Sequence, residues 1–336
     1  MKNRARTGLG SVALCGTLLA ISPHAAAQTM PNYGLEWALV GEPGNRGTKP
    51  FETQGIPHWS IGAVEHEFRI SKTQLSVTQW LEFVQAYEPY YTGFKNDNAF
   101  TGANIHWSSQ YGYRIGGGTE NYPANMSWHY AARYANWLHN DKASEQWAFE
   151  NGAYDTSTFF TIPGTNLRAD QIEHHPDAKF WIPTLHEWTK AVYYDPNRYG
   201  PGEEGYWLHP DGGMEQLVSG LPGTPGAETS GGIFANDVDI GLYPNTGSLR
   251  GLLDTSGGRP EWTETVASMP GRTRWKMGSR TGSTGWFTDD RLDFFRQKSP
   301  QFFGQGLRLS SQVPSPGVVS VLGPGFILTL TRRKRK

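Results

Sequence analysis

The sequence predicts an α+β fold built from three short helices, short strands and many loops. Two observations carry this. With 41 glycines and 22 prolines in 336 residues, loops dominate and little long helix is left. Three widely separated windows nevertheless show apolar residues at helical spacing, between short runs that read as strands. Core material is ample: 13 Trp, 15 Tyr and 16 Phe.

Residues 33–70 read as strands and loops. Trp37-Ala38-Leu39-Val40 is a short buried strand, Gly41-Glu42-Pro43-Gly44-Asn45 a turn cluster, and Ala63 to Ile70 a partly alternating strand. The first helix runs from about Thr78, the expected cap, to Tyr87; Val77, Trp80, Leu81, Val84 and Tyr87 share a face, and Pro89 stops it. The second starts at Ser127, with Trp128, Ala131, Ala135 and Leu138 on one face. The third opens with Thr184-Leu185-His186-Glu187, a capping box in which Glu187 reaches back to the Thr184 N–H. Leu185, Trp188 and Val192 then face the core. The intervals 92–121 and 141–179 are loop-rich, 195–235 lacks periodicity, and 270–311 reads as short strands such as Arg274–Met277 and Gly306–Leu309. With no tandem repeat and no clean linker inside 33–311, this span is one domain.

Both ends differ from the body. In residues 1–27, Lys2, Arg4 and Arg6 precede an apolar run, Gly8 to Ile21, and Ala25-Ala26-Ala27 offers a small-residue cleavage site, the pattern of a secretory signal peptide. Residues 313–336 run from Val313-Pro314-Ser315-Pro316-Gly317 through an apolar stretch to five basic residues, an order that resembles a PEP-CTERM-type sorting signal, with Pro-Ser-Pro-Gly in place of Pro-Glu-Pro. The apolar stretch is short for a full membrane span. These features predict export, to the periplasm, outer surface or medium, with transient membrane association through the C-terminal segment.

Charge narrows the partners. The chain has 30 basic and 31 acidic residues; setting aside eight basic residues at the two ends leaves 22 against 31, a middle of about −9. An acidic body argues against nucleic acid. The only cysteine is Cys15, inside the leader, so the body offers no disulfide, thiolate metal site or cysteine nucleophile.

The stretch Leu252 to Trp262 holds the densest chemistry. Asp254 precedes a Gly257-Gly258 loop, and Glu261 follows before Trp262. Hard cations take several oxygens at once, from carboxylates and backbone carbonyls, and glycine lets a loop turn its carbonyls inward. Asp254, the carbonyls of Gly257 and Arg259, and Glu261 could therefore surround one Ca²⁺. The plainer alternative is a turn between strands with Trp262 in the core.

Six segments in register connect this chain to a known family. Val40–Asn45 resembles the opening loop of exported members of the formylglycine-generating enzyme (sulfatase-modifying factor) family, and Ile70 to Val84 resembles its "EVTN-x-Q-Y-x-x-F" helix start. Tyr122–Trp128 with Asn136-Trp137-Leu138 resembles "PV-x-x-VSW-x-x-A" and "WL"; Phe180–Trp188 resembles "RLPTEAEWE"; Gly251–Trp262 resembles "GLYDMAGNVWEW"; Gly306-Leu307-Arg308 stands where "GFR" closes the domain. The resemblance implies an irregular α+β fold related to C-type-lectin-like folds, with an open cleft that loops 92–121 and 195–235 could rim. It also implies a structural Ca²⁺ at Asp254, Gly257, Arg259 and Glu261, although Gly258 replaces the motif Asn and Pro260 its first Trp. A second family Ca²⁺ site near Asn236 and Tyr243 loses its Asp at Gly241. The family's aerobic enzymes bind copper through two cysteines; the matching region, Trp286 to Leu292, has none, so copper-dependent formylglycine generation is not expected and no catalytic residue is assigned.

Other chemistry is thin. His186-Glu187 is not a zinc-protease helix, since Lys190 stands where HExxH needs His. His174-His175 reads as a loop pair, and Asp289-Asp290 as an exposed acidic turn. The expectation is an exported member of the family without formylglycine-generating activity, binding an unknown protein, peptide or glycan at the cell surface or serving as a structural module there. The alternative is an oxidoreductase or other metal-dependent enzyme of the same fold with a non-cysteine site.

Overall fold

The capping signals place the helices first. In the computed structural model, which describes residues 30–53, 58–165, 168–231, 237–269, 272–279 and 290–314, strands β1 (Trp37–Val40) and β2 (Phe68–Ser71) precede helix α1 (Val77–Tyr87). Then come α2 (Asn98–Thr101), β3 (Ile105–Ser108), β4 (Gly112–Ile115), α3 (Trp128–His139) and α4 (Trp147–Glu150). The short strands β5 (Phe160–Thr161), β6 (Arg168–Ala169) and β7 (Phe180–Trp181) lead to α5 (Leu185–Tyr193), β8 (Tyr194–Asp195) and β9 (Gly205–Tyr206). The chain continues through β10 (Glu261–Ser268), β11 (Thr273–Met277), β12 (Arg296–Lys298) and β13 (Ser310–Ser311). The fold is α+β, with two one-turn helices beyond the three expected; four residues carry no periodicity that could announce them.

The cap of α1 is Ser76 rather than Thr78. Ser76 Oγ accepts from the Gln79 N–H at 3.2 Å and Gln79 Oε1 accepts from the Ser76 N–H at 2.9 Å, a capping box two residues earlier than expected. The Thr184–Glu187 box of α5 forms as expected, and Glu187 also accepts from Trp181 Nε1 at 3.0 Å. Strand β2 begins at Phe68, so residues 63–67 are loop; the strand expected over Gly306–Leu309 is displaced to β13.

Two packing centres follow. Phe83 of α1 lies at the middle of an aromatic cluster, with ring centroids of Trp80, Tyr134, Trp137 and Phe149 between 4.7 and 6.0 Å away. Asn136 of α3 fastens the following loop, donating to the Phe149 and Tyr154 carbonyls at 3.0 and 2.8 Å. The second centre lies where the sheet β1-β2-β13-β7 meets the loop before β10. There Trp188, Trp262 and Arg308 are fully buried. The described residues belong almost wholly to one unit, Pro31–Val313; the expected signal peptide lies outside the described residues, as does all of the C-terminal segment except its first two residues. Among the described residues no helix is long and apolar enough to cross a membrane.

Candidate functional site

The loop before β10 is the first place to look, since three of the four expected cation ligands lie on it and the fourth, Glu261, opens β10. Asp254 adopts a left-handed conformation (φ 60°), and so does Gly257 (φ 82°), which reverses the chain tightly. Three oxygens converge, two of them from the expected set. The carbonyls of Asp254 and Arg259 and Oε1 of Glu261 all accept from one atom, Gln74 Nε2, at 3.1, 2.7 and 2.9 Å. The other expected oxygens point elsewhere. The Asp254 carboxylate accepts from the Gly241 N–H at 2.9 Å, and the Gly257 carbonyl accepts from Ser230 Oγ at 2.6 Å.

Glu261 is compensated from within. Arg308 donates to its two carboxylate oxygens at 3.0 Å from Nε and Nη2, and Trp188 Nε1 donates to Oε2 at 2.6 Å. The same guanidinium donates to the carbonyls of Ser71, Lys72 and Leu253, so it ties the end of β2 to the loop. Glu261 and Arg308 are both fully buried. Ca²⁺ takes six to eight oxygens. Here three oxygens meet, on an amide donor, beside a buried guanidinium. The residues present do not fit the expected Ca²⁺ site: Gly257 is spent on Ser230, the Asp254 carboxyl on Gly241, and the Glu261 charge on Arg308.

A second polar region is open. Asp97, Ala99, Ser127, His129, Tyr130, Arg133, Phe159 and Gln301 line a cleft of about 470 Å³ at the start of α3. Ser127 is the α3 N-cap by backbone geometry, yet its hydroxyl makes no capping bond. His129 stacks on Phe159 at 4.6 Å between centroids, and its Nε2 lies 3.4 Å from Asp170 Oδ2. Burial holds His129 below its ordinary pKa against the pull of Asp170. Asp170 is neutralised by Arg274, whose Nη2 donates to Oδ1 at 2.7 Å. Arg133 is likewise paired, giving Nε and Nη2 to Glu150 at 2.9–3.1 Å. Of the two loops expected to rim a cleft, 92–121 contributes Asp97 and Ala99, while the described residues of 195–235 contribute none of the lining.

Residues 39–285 match the family model of the sulfatase-modifying factor enzyme 1-like domain. The chain belongs to the sulfatase-modifying factor family. No curated protein matches it. Among solved structures, it is similar to CarF, at 18% identity and a TM-score of 0.46 over 84% of this chain and 99% of that one. It is also similar to variable protein 1 of Treponema denticola, at 14% identity and 0.46 over 82% of this chain and 95% of that one. PvdO from Pseudomonas aeruginosa gives 14% and 0.44 over 84% of this chain and 96% of that one.

Within the family frame, the remaining sequence candidates resolve as structure. His174 Nδ1 lies 3.0 Å from Glu264 Oε1 and its ring stacks on Trp181 at 4.7 Å, while His186 Nδ1 accepts from the Gly62 N–H at 3.2 Å. His66 stays largely exposed beside Glu187. Asp290 is not in an exposed turn. It is 2% exposed, Ser256 Oγ donates to its Oδ2 at 2.9 Å, and buried His209 lies 3.5 Å from Oδ1. Asp289, Asn236 and the stretch Trp286–Thr288 lie outside the described residues. Among the described residues no group of three or more His, Cys, Asp or Glu could hold a metal ion. Sequence reasoning missed Gln74 and the cleft residues. A lone Gln before a helix cap carries no signal, and His129, Asp170 and Gln301 are brought together only by the fold.

Proposed function

We propose that this protein is an exported, non-catalytic member of the sulfatase-modifying factor family that binds a neutral glycan at the cell surface through the cleft at the start of α3. The cleft itself carries this reading. Its volume lies in the range of small-molecule sites, about 300–1,000 Å³. Its charges are already paired: Arg133 with Glu150, and Asp170 with Arg274, leaving the Asp97 carboxylate, which accepts from the Ala99 N–H at 2.9 Å. A strongly anionic ligand gains no free cation there, and a cationic one finds only the Asp97 carboxylate, which already accepts from the Ala99 N–H and the Tyr91 hydroxyl. What remains is a hydroxyl, an amide and a phenol, beside the Phe159–His129 stack: hydrogen-bond donors and acceptors next to apolar faces, which suit a sugar's hydroxyls and C–H faces. Export and a transient membrane stage rest on the terminal segments. The lack of formylglycine-generating activity rests on Cys15 being the only cysteine.

The test is calorimetric titration of the full chain with neutral oligosaccharides chosen from a glycan array, repeated with the Ser127→Ala/Gln301→Ala double variant. The reading predicts binding that weakens by roughly tenfold or more in the variant, a loss of about 1.4 kcal/mol or more. Failure of every neutral glycan to bind, or equal binding by the variant, overturns it. The enzyme alternative rests on His129, held against Asp170 in the cleft wall. It is supported instead if the chain turns over a bound compound and His129→Gln abolishes that turnover.

A further inference from the structure

The structure assigns to Gln74 the place that a cation would take in the loop 254–261, with Arg308 balancing the Glu261 charge, so that this chain closes the loop with its own side chains and folds without Ca²⁺. Gln74 is fully buried, and one –NH₂ serves three oxygens: Asp254 O, Arg259 O and Glu261 Oε1. Its orientation is fixed by four contacts at once, because Gln74 Oε1 accepts from the Arg259 N–H at 3.3 Å. A flipped amide would set oxygen against three oxygens and –NH₂ against an N–H. The Nε2 position is thus the point where the loop's inward oxygens meet.

Charge at the loop is balanced without a cation. A carboxylate buried beside a dication needs no other partner, whereas Glu261 has a fully buried guanidinium on both oxygens. A cation at the Gln74 position would sit against the same carboxylate as Arg308, and the two positive charges would repel across a few ångströms of low-dielectric interior.

The glycines around Gln74 fit this arrangement. A Cβ at Gly258 would meet Gln74 Nε2 at 3.0 Å and the Asp254 carbonyl at 3.1 Å, and one at Gly306 would meet Gln74 Oε1 at 2.6 Å. Gly258, which stands where the family motif has Asn, therefore makes room for the Gln74 side chain.

The experiment is thermal unfolding of the full chain in EGTA and in millimolar Ca²⁺, for the wild type and for Gln74→Glu. The wild type is expected to unfold at the same temperature in both. Gln74→Glu puts a second carboxylate on the meeting point of the oxygens, so it is expected to lose stability in EGTA and to regain roughly 5 °C or more with Ca²⁺. A wild-type midpoint that rises with Ca²⁺ and falls again with EGTA overturns the assignment. So does a folded Gln74→Glu protein indifferent to Ca²⁺. If that variant does not fold, the wild-type pair of scans decides alone.

Discussion

The loop at Glu261 and the cleft at Ser127 are both polar, and they differ in whether their polar groups are already satisfied. Around Glu261 each carboxylate oxygen has two donors, and the neighbouring carbonyls of Asp254, Arg259 and Leu253 are taken by Gln74 and Arg308. Nothing is left to offer a ligand. Around Ser127 the charges are paired from behind, by Glu150 and Arg274, while the exposed Gln301 amide and the half-buried Tyr130 line an open cleft, which the Ser127 hydroxyl borders from a nearly buried position. Burying a polar group costs free energy unless it finds a partner, so a closed polar node holds a fold together, and an open one is free to be completed by a ligand.

The largest expected effect falls on the closed node. Arg308→Met strands the Glu261 carboxylate in the core and removes the tie among Ser71, Lys72 and Leu253; it should cost about 3–5 kcal/mol in denaturant unfolding. Gln74→Leu leaves the Asp254 and Arg259 carbonyls without that donor and should cost about 2–3 kcal/mol, with no recovery in Ca²⁺.

In the cleft, stability and binding should separate. Alanine at an N-cap serine typically costs about 1 kcal/mol, but the Ser127 hydroxyl makes no capping bond, so Ser127→Ala should cost less than about 0.5 kcal/mol while it weakens glycan binding. A full capping penalty would mean that the hydroxyl holds the helix instead of facing a ligand.

The smallest effect is a pH dependence elsewhere. Burial lowers the pKa of His174, but the hydrogen bond and charge of Glu264 outweigh this and raise it above the ordinary value. The folded state therefore binds this proton more tightly than the unfolded state. Its contribution is full below about pH 6.5 and fades as pH rises through the raised value. His174→Gln should flatten that slope in unfolding measurements between pH 6 and pH 8.

Local signals were the most legible. Thr184 and Glu187 announced α5 because a capping box needs only four adjacent residues. Ser76 and Gln79 form the same device, but Thr78 nearby offered an equally good cap, and only packing distinguishes them. The motif resemblance located the loop and Glu261 but not their state. Whether a carboxylate meets a metal or a guanidinium depends on Arg308 and Gln74, 47 and 187 residues away in the chain. Asp290 was misjudged for the same reason: its burial depends on Ser256 and His209, which no local pattern connects to it.

Hydrogen exchange of the full chain in EGTA and in Ca²⁺ tests the contrast most directly. The account predicts that the Trp262 and Gly306 amides, which donate to Gly306 and Pro260 across the closed node, are among the slowest in the chain and exchange at the same rate in both conditions. Protection of this segment that appears only with Ca²⁺ would contradict it.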